Sequence, residues 1–196
     1  ILIIGLSSRT IVRNSQWYSQ IILMSNDIAK LSNSAQANNL YAFALMRDSY
    51  ENTLLTVDEV NEERRKALTH LKKAVEIYPK FSNAWFDLGR AAWLLNDTTV
   101  AIKGYSKSIE LNATFFTAYD ELLSILEVSN KKEMHLVYAK KYFTKSKKPK
   151  VYVTLAKSYF ANHNKKKAIE IMDASILKSP SDKELKVIRK QLIETK

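Results

Sequence analysis

The stretch SNAWFDLGRAAWLLNDTTVAIKGYSKSIELNATF, Ser82 to Phe115, decides the fold, because the chain on either side repeats its pattern. A shift of 34 residues lays Ala67 on Ala101, Leu71 on Tyr105, Val75 on Ile109, Glu76 on Glu110, Ile77 on Leu111, Phe81 on Phe115, Ala84 on Ala118, Trp85 on Tyr119 and Leu88 on Leu122. A further step of 33 carries Tyr119 to Tyr152 and Leu122 to Leu155, and two steps carry Ala101 to Ala168. A period of that length marks an array of supersecondary units, each unable to bury its hydrophobic face alone and so stacked on its neighbours.

Composition agrees with a helical array. The 196 residues hold only three Gly and three Pro, which disfavours turn-rich β folds and Gly-rich phosphate loops, and the 46% hydrophobic content is enough to fill one elongated core. Cysteine is absent, which excludes a disulfide framework, a thiolate metal site and a cysteine nucleophile.

The repeat resembles the tetratricopeptide repeat (TPR), whose pattern is a large residue, Leu-Gly and Tyr on a first helix, then Ala, an aromatic, a small residue and a closing Pro on the second. Residues 82–115 supply Trp85, Leu88, Gly89, Ala92, Ala101, Tyr105, Ser108 and Ala113, and residues 149–182 supply Tyr152, Leu155, Ala156, Tyr159, Ala168, Met172, Ser175 and Pro180. Gly or Ala at the eighth and twentieth positions lets the two helices of a hairpin approach, while the large residues fill the gap to the next hairpin. The resemblance implies an all-α superhelix (α-solenoid) of about four hairpins, near 34–81, 82–115, 116–148 and 149–182, within a TPR domain spanning 16–196.

Two units depart from the pattern. The first, opening with Ser34, Leu40 and Ala44 and closing with Ala67, Leu71, Ala74 and Pro79, carries about fourteen extra residues around Arg47 to Val60. Thr56 and Glu59 form a capping box that predicts a helix start, with 48–55 as the loop. The unit 116–148 keeps Tyr119, Leu122 and Leu126 but has Met134 or His135 where Ala is expected, and its second helix runs on through Tyr138 and Tyr142. After Pro180, Ser181 and Glu184 read as another capping box, and Leu185, Ile188 and Leu192 line one face of a capping helix over 183–196 whose Lys183, Lys186, Arg189 and Lys190 face water.

In the resembling family, positions two, five, six, nine and twelve of each first helix point into a concave groove. Here they are Asn38, Asn39, Asn83, Phe86, Asp87, Arg90, Trp93, Asp120, Glu121, Lys150, Lys157 and Phe160, a mixture of amides, charges and aromatics suited to an extended protein or peptide segment. Phe86 and Trp93 fit equally well as packing residues. Asn38, Asn83 and Arg90 do not reproduce the order of the Lys/Asn carboxylate clamp of some members.

The N-terminus is different in kind. Ile1 to Leu6, ILIIGL, is too short to cross a bilayer and reads as the remnant of a membrane helix within 1–15, or as a short apolar element docked on the first repeat. From Gln16, the residues Trp17, Ile21, Met24, Ile28 and Leu31 fall on one stripe of an amphipathic helix ahead of the repeats. The order of apolar end, Thr10 to Asn14, Trp17, amphipathic helix and Asn33 to Leu40 resembles the passage from the last membrane helix into the repeats of TPR-containing O-mannosyltransferases. About 35 residues carry this second resemblance. It implies that the chain is the non-catalytic, extracytoplasmic tail of a membrane glycosyltransferase; Arg9 and Arg13 beside the apolar segment favour the cytoplasmic side instead.

Between Lys131 and Lys167 lie twelve lysines against one acid, Glu133, so this block carries the whole formal charge of +11. It is either a solvated face or a surface for anionic partners such as lipid headgroups. Nucleic acid is disfavoured, because Tyr138, Tyr142, Phe143 and Tyr152 occupy core positions of the repeats and form no stacking platform.

No catalytic motif, cofactor site or metal site is visible. His70, His135 and His163 are far apart, and the adjacent Asp120 and Glu121 point about 100° apart on a helix instead of converging. Asn96-Asp97-Thr98 and Asn112-Ala113-Thr114 match the glycosylation acceptor pattern, a match that chance also explains in an Asn-rich chain. The expected function is therefore binding: the tail of a membrane glycosyltransferase, a free adaptor or, third, an anion-binding domain.

Overall fold

The computed structural model describes residues 20–195, in which α-helix is the only regular element. The helices are α1 Gln20–Ile28, α2 Ala35–Glu51, α3 Val57–Ile77, α4 Ser82–Leu94, α5 Thr98–Leu111, α6 Phe116–Val128, α7 Lys132–Lys145, α8 Pro149–Ala161, α9 Lys165–Lys178 and α10 Lys183–Glu194. They divide after Leu111 into two compact units, α1–α5 and α6–α10. Consecutive helices pack together within each unit, and α2 also touches α4 as α8 touches α10. The expected remnant at 1–15 and Trp17 lie outside the described residues.

Helix starts follow local chemistry. Ser34 accepts the amide of Ala37 at 3.2 Å, and Asn164 accepts that of Lys167 at 3.0 Å. Thr56 and Glu59 complete the capping box, the Thr56 amide donating to the Glu59 carboxylate at 2.8 Å and the Glu59 amide to the Thr56 hydroxyl at 3.3 Å. Pro149 opens α8, where its missing N–H is harmless.

The turns inside the three later hairpins share one geometry. Asn96, Asn130 and His163 have φ of 61°, 53° and 60°, and the residue after each donates its amide five residues back, Asp97 to Ala92, Lys131 to Leu126 and Asn164 to Tyr159, at 2.8–2.9 Å. This left-handed closure usually employs glycine. Both described glycines sit elsewhere, where α4 crosses α5: a Cβ on Gly104 would lie 2.6 Å from the Gly89 nitrogen and 2.8 Å from the Trp85 carbonyl oxygen.

In the first unit Ala42, Leu45, Ala67, Leu71, Ala74, Ala84, Leu88 and Ala91 form one buried cluster, with Trp85 and Phe81 against it. In the second, Ala156, Ala168, Met172, Leu185 and Leu192 do the same, and Tyr142 stacks on Tyr119 with ring centroids 4.8 Å apart.

Four expectations need correction. Residues 48–51 are helical, not loop, because Asp48 to Glu51 contains no helix breaker and Arg47 pairs with Glu51 one turn on at 3.6 Å. The extra residues therefore lengthen both helices of the first hairpin, to 17 and 21 residues against 13 and 14 in α4 and α5. The cap of α10 is Asp182, not Ser181: its carboxylate accepts the amides of Glu184 and Leu185 at 3.0 and 3.2 Å, and charge makes it the stronger acceptor at a positive helix end. The helix before the repeats ends at Ile28, which leaves Leu31 in an exposed turn. Arg189, expected to face water, is partly buried and pairs with Asp173 on α9.

Candidate protein-binding groove

Counting from first helical residues, Ala35 corresponds to Ser82, which moves the first repeat one residue on from the frame read in the sequence. Asn38 then falls at the position of Trp85, the large packing residue, and Ala42 at that of Gly89. The structure agrees: Asn38 is 0% exposed and belongs to the core, not the groove. Its amide nitrogen donates to the carbonyls of Ser32 and Ser34 at 2.8 and 2.9 Å. The amide oxygen, 2.8 Å from His70 Nδ1, must then be the acceptor and the imidazole N–H the donor. Burial pushes the His70 pKa down.

The same frame brings Phe43, Arg47 and Tyr50 to the open face of α2, where Phe43 is 45% and Tyr50 52% exposed. Between this face and α4 lies a cavity of about 320 Å³ bounded by Phe43, Met46, Arg47, Tyr50, Glu51, Leu71, Asp87 and Arg90. Tyr50 and Glu51 belong to the extra turn of α2, so the insertion builds a wall of the cavity. The guanidinium carbons of Arg64 and Arg90 lie 5.5 and 5.6 Å from the centre of the Tyr50 ring, within cation–π range.

Asp87 lines this cavity as a partly buried carboxylate. Burial pushes its pKa up to about 6, against the hydrogen bond from Asn39 and the charge of Arg90, both of which favour the ionised form. Asn39 Oδ1 and Arg64 Nε are buried without a hydrogen-bond partner in the protein, which is uncommon in native interiors.

The remaining expected groove residues divide. Asn83 and Glu121 are exposed. Phe86 packs edge-on against the fully buried Tyr105 at 5.4 Å, and Phe160 rests on the Ala156–Met172 cluster, so both are packing residues. Trp93 is partly buried. Asp120 and Lys150 meet across α6 and α8 in a 2.7 Å ion pair, which raises the pKa of Lys150. Lys157 borders a smaller cavity of about 150 Å³ with Glu127, His135 and Ser158.

His135 Nδ1 lies 2.7 Å from Ser158 Oγ, but that hydroxyl donates to the Thr154 carbonyl at 2.8 Å and is 1% exposed. The imidazole is thus the donor in this pair and activates no nucleophile. Among the described residues, no cluster of His, Asp and Glu is able to hold a metal, and no helix is long and apolar enough to cross a membrane. Sequence reading missed Phe43, Arg47, Tyr50 and Arg64; the available signal was the length of the insertion combined with apolar residues seven apart that the core does not need.

Paired helices, small residues at their crossings and a repeating left-handed turn define the chain as a helical-hairpin repeat protein. Residues 82–115 match the family model of the tetratricopeptide repeat. Comparison with curated protein sequences finds no match. Among solved structures the fold is similar to MamA protein, with TM-score 0.63 and 16% identity over 82% of this chain and 81% of that one. It is also similar to YrrB, described as a TPR protein with an unusual peptide-binding site, with TM-score 0.62 and 17% identity over 95% of this chain and 87% of that one. The C-terminal part of a TPR repeat-containing protein from Cytophaga hutchinsonii gives TM-score 0.65 and 17% identity over 88% of this chain and 63% of that one. The fold is accordingly the all-α TPR fold, an α-solenoid type built from helical hairpins.

Proposed function

We propose that the chain is a non-catalytic domain that binds a protein segment on the face formed by α2 and α4. The cavity of about 320 Å³ carries this reading, because exposed aromatic and charged side chains converge there on rigid helices and no catalytic arrangement accompanies them. A TPR relative whose structure is described by its peptide-binding site supports the same class of function. Binding of a charge-diverse peptide array to the chain, mapped by NMR shifts to 43–51 and 87–90, tests it; silence across the whole array overturns it.

The finer proposal concerns context. The order of segments in residues 1–40 supports the reading that this is the extracytoplasmic C-terminal tail of a membrane glycosyltransferase, holding protein acceptors near an active site elsewhere in the protein. The lysine block, with Lys140, Lys141, Lys145, Lys147 and Lys148 all exposed, suits the anionic membrane surface beside which such a tail would work. Reading the native gene upstream of Ile1 decides the matter. Several apolar spans of about 20 residues with acidic residues in the first outer loop support the tail, whereas a start codon or signal peptide directly before Ile1 leaves a free adaptor.

A further inference from the structure

We infer that the cavity between α2 and α4 is an anchor pocket for one large apolar side chain of an acidic peptide, whose neighbouring carboxylate is met by Arg47 and Arg90. This rests on the protein-binding reading above and specifies the chemistry of the partner.

The interior of the pocket is apolar: Phe43 and Met46 of α2 and Leu71 of α3 line it, in a volume suited to a side chain and too small for a folded element. Its mouth is cationic. Arg64 and Arg90 lie over Tyr50 and Arg47 lines the cavity, while one of the two acids that line it, Glu51, is paired with Arg47 at 3.6 Å. The other, Asp87, is partly buried and takes the hydrogen bond of Asn39. Three guanidiniums thus stand against two carboxylates, Glu51 and Asp87, and the net positive charge favours an anionic segment over a cationic one. The Tyr50 ring restrains the Arg90 guanidinium, so less side-chain freedom is lost when it grips a planar carboxylate. A shorter α2 of the α4 length would lack Tyr50 and Glu51, so the insertion is what creates the site.

The test titrates the full 196-residue chain into a labelled peptide with blocked ends and the sequence Gly-Asp-Asp-Trp-Asp-Asp-Gly, read by fluorescence polarisation. Replacing its Trp by Gly, or its four Asp by Lys, is expected to weaken binding at least tenfold. Arg90→Gln and Phe43→Ser, both at exposed positions and checked for unchanged helical melting, are each expected to weaken it about fivefold to tenfold, a range common for single interface side chains. Equal binding of the acidic and lysine peptides, or unchanged affinity in both variants, overturns the inference. If peptides bind but shift the amides around Asp120 and Lys150 instead, or if neither the acidic nor the lysine peptide binds while other members of the array do, the anchor pocket falls while protein binding stands; silence across the whole array overturns both.

Discussion

The α4/α5 and α6/α7 hairpins close through the same turn and bring their helices together in opposite ways. Gly89 and Gly104 meet at the first crossing, and the bulk follows one residue later in Tyr105, which is fully buried. A step of 34 puts Leu123 and Tyr138 at the second crossing, with Ala139 in place of Tyr105 and Tyr142 in place of Ser108, all four buried. Volume has been exchanged between neighbouring positions. The repeat thus fixes topology and turn, while the residues that fill the crossing differ from one hairpin to the next. The same step places the exposed Glu121 where the α4/α5 hairpin holds the partly buried Asp87.

Opposite changes should therefore break the two hairpins. Tyr142 is 1% exposed and stacked between Tyr119 and Phe116, at 4.8 and 5.7 Å, so Tyr142→Ala removes the ring that fills the second hairpin. A loss of about 3–5 kcal/mol in urea unfolding is expected, as for buried aromatics generally. At the tight crossing the damaging change is an addition. Gly104→Ala meets Gly89 and Trp85 backbone atoms at 2.6–2.8 Å, so about 1–3 kcal/mol of overpacking should outweigh the roughly 1 kcal/mol that alanine gains in a helix. Gly89→Ala, whose Cβ would stand 3.1 Å from the Tyr105 ring, should be milder. If Gly104→Ala stabilises the chain, the two crossings do not differ as described.

Asp87 and Glu121 separate the hairpins by pH. The folded pKa of Asp87, about 6, lies above the 3.8 of an unfolded aspartate. Its contribution is fully present below pH 4 and is lost as pH rises to about 6, where ionising the carboxylate costs roughly 3 kcal/mol, at 1.36 kcal/mol per unit. Asp87→Asn should accordingly raise stability at pH 8 by up to about 3 kcal/mol and leave it unchanged at pH 4. Glu121→Gln, at an exposed position, should do neither. A stability gain from Asp87→Asn that is the same at both pH values would show that the carboxylate is not destabilised by burial.

Much of the architecture was legible because burial imposes a period. Ala67, Ala101 and Ala168, or Leu88, Leu122 and Leu155, recur at the step the hairpins require, and each is buried below 4% exposure. The Thr56 and Glu59 cap was legible because its chemistry is local. The frame of the first repeat was not: Asn38 is polar where the array otherwise places a large ring, and only its bonds to Ser32, Ser34 and His70 explain how an amide fills that place. The pocket was hidden for a related reason. Phe43 and Tyr50 lie on a lengthened helix that no other repeat shares, and the hydrogen bond to Asp87 comes from Asn39 of a different hairpin, which spacing along the chain does not reveal.

The turns supply the smallest and most local comparison. Asn96, Asn130 and His163 adopt the same left-handed conformation, yet the residue types differ in how well they accept it. Asparagine tolerates this region through its short polar side chain, whereas the larger imidazole meets more of the Cβ and carbonyl crowding that makes left-handed φ unfavourable. Glycine removes that crowding at either site while adding freedom to the unfolded chain. His163→Gly should therefore raise stability by about 0.5–1 kcal/mol, and Asn130→Gly by about half as much. Both side chains are exposed, so no packing is lost in either variant. If Asn130→Gly gains as much as His163→Gly, the turns are equivalent in energy as well as in geometry, and the hairpins differ only at their crossings.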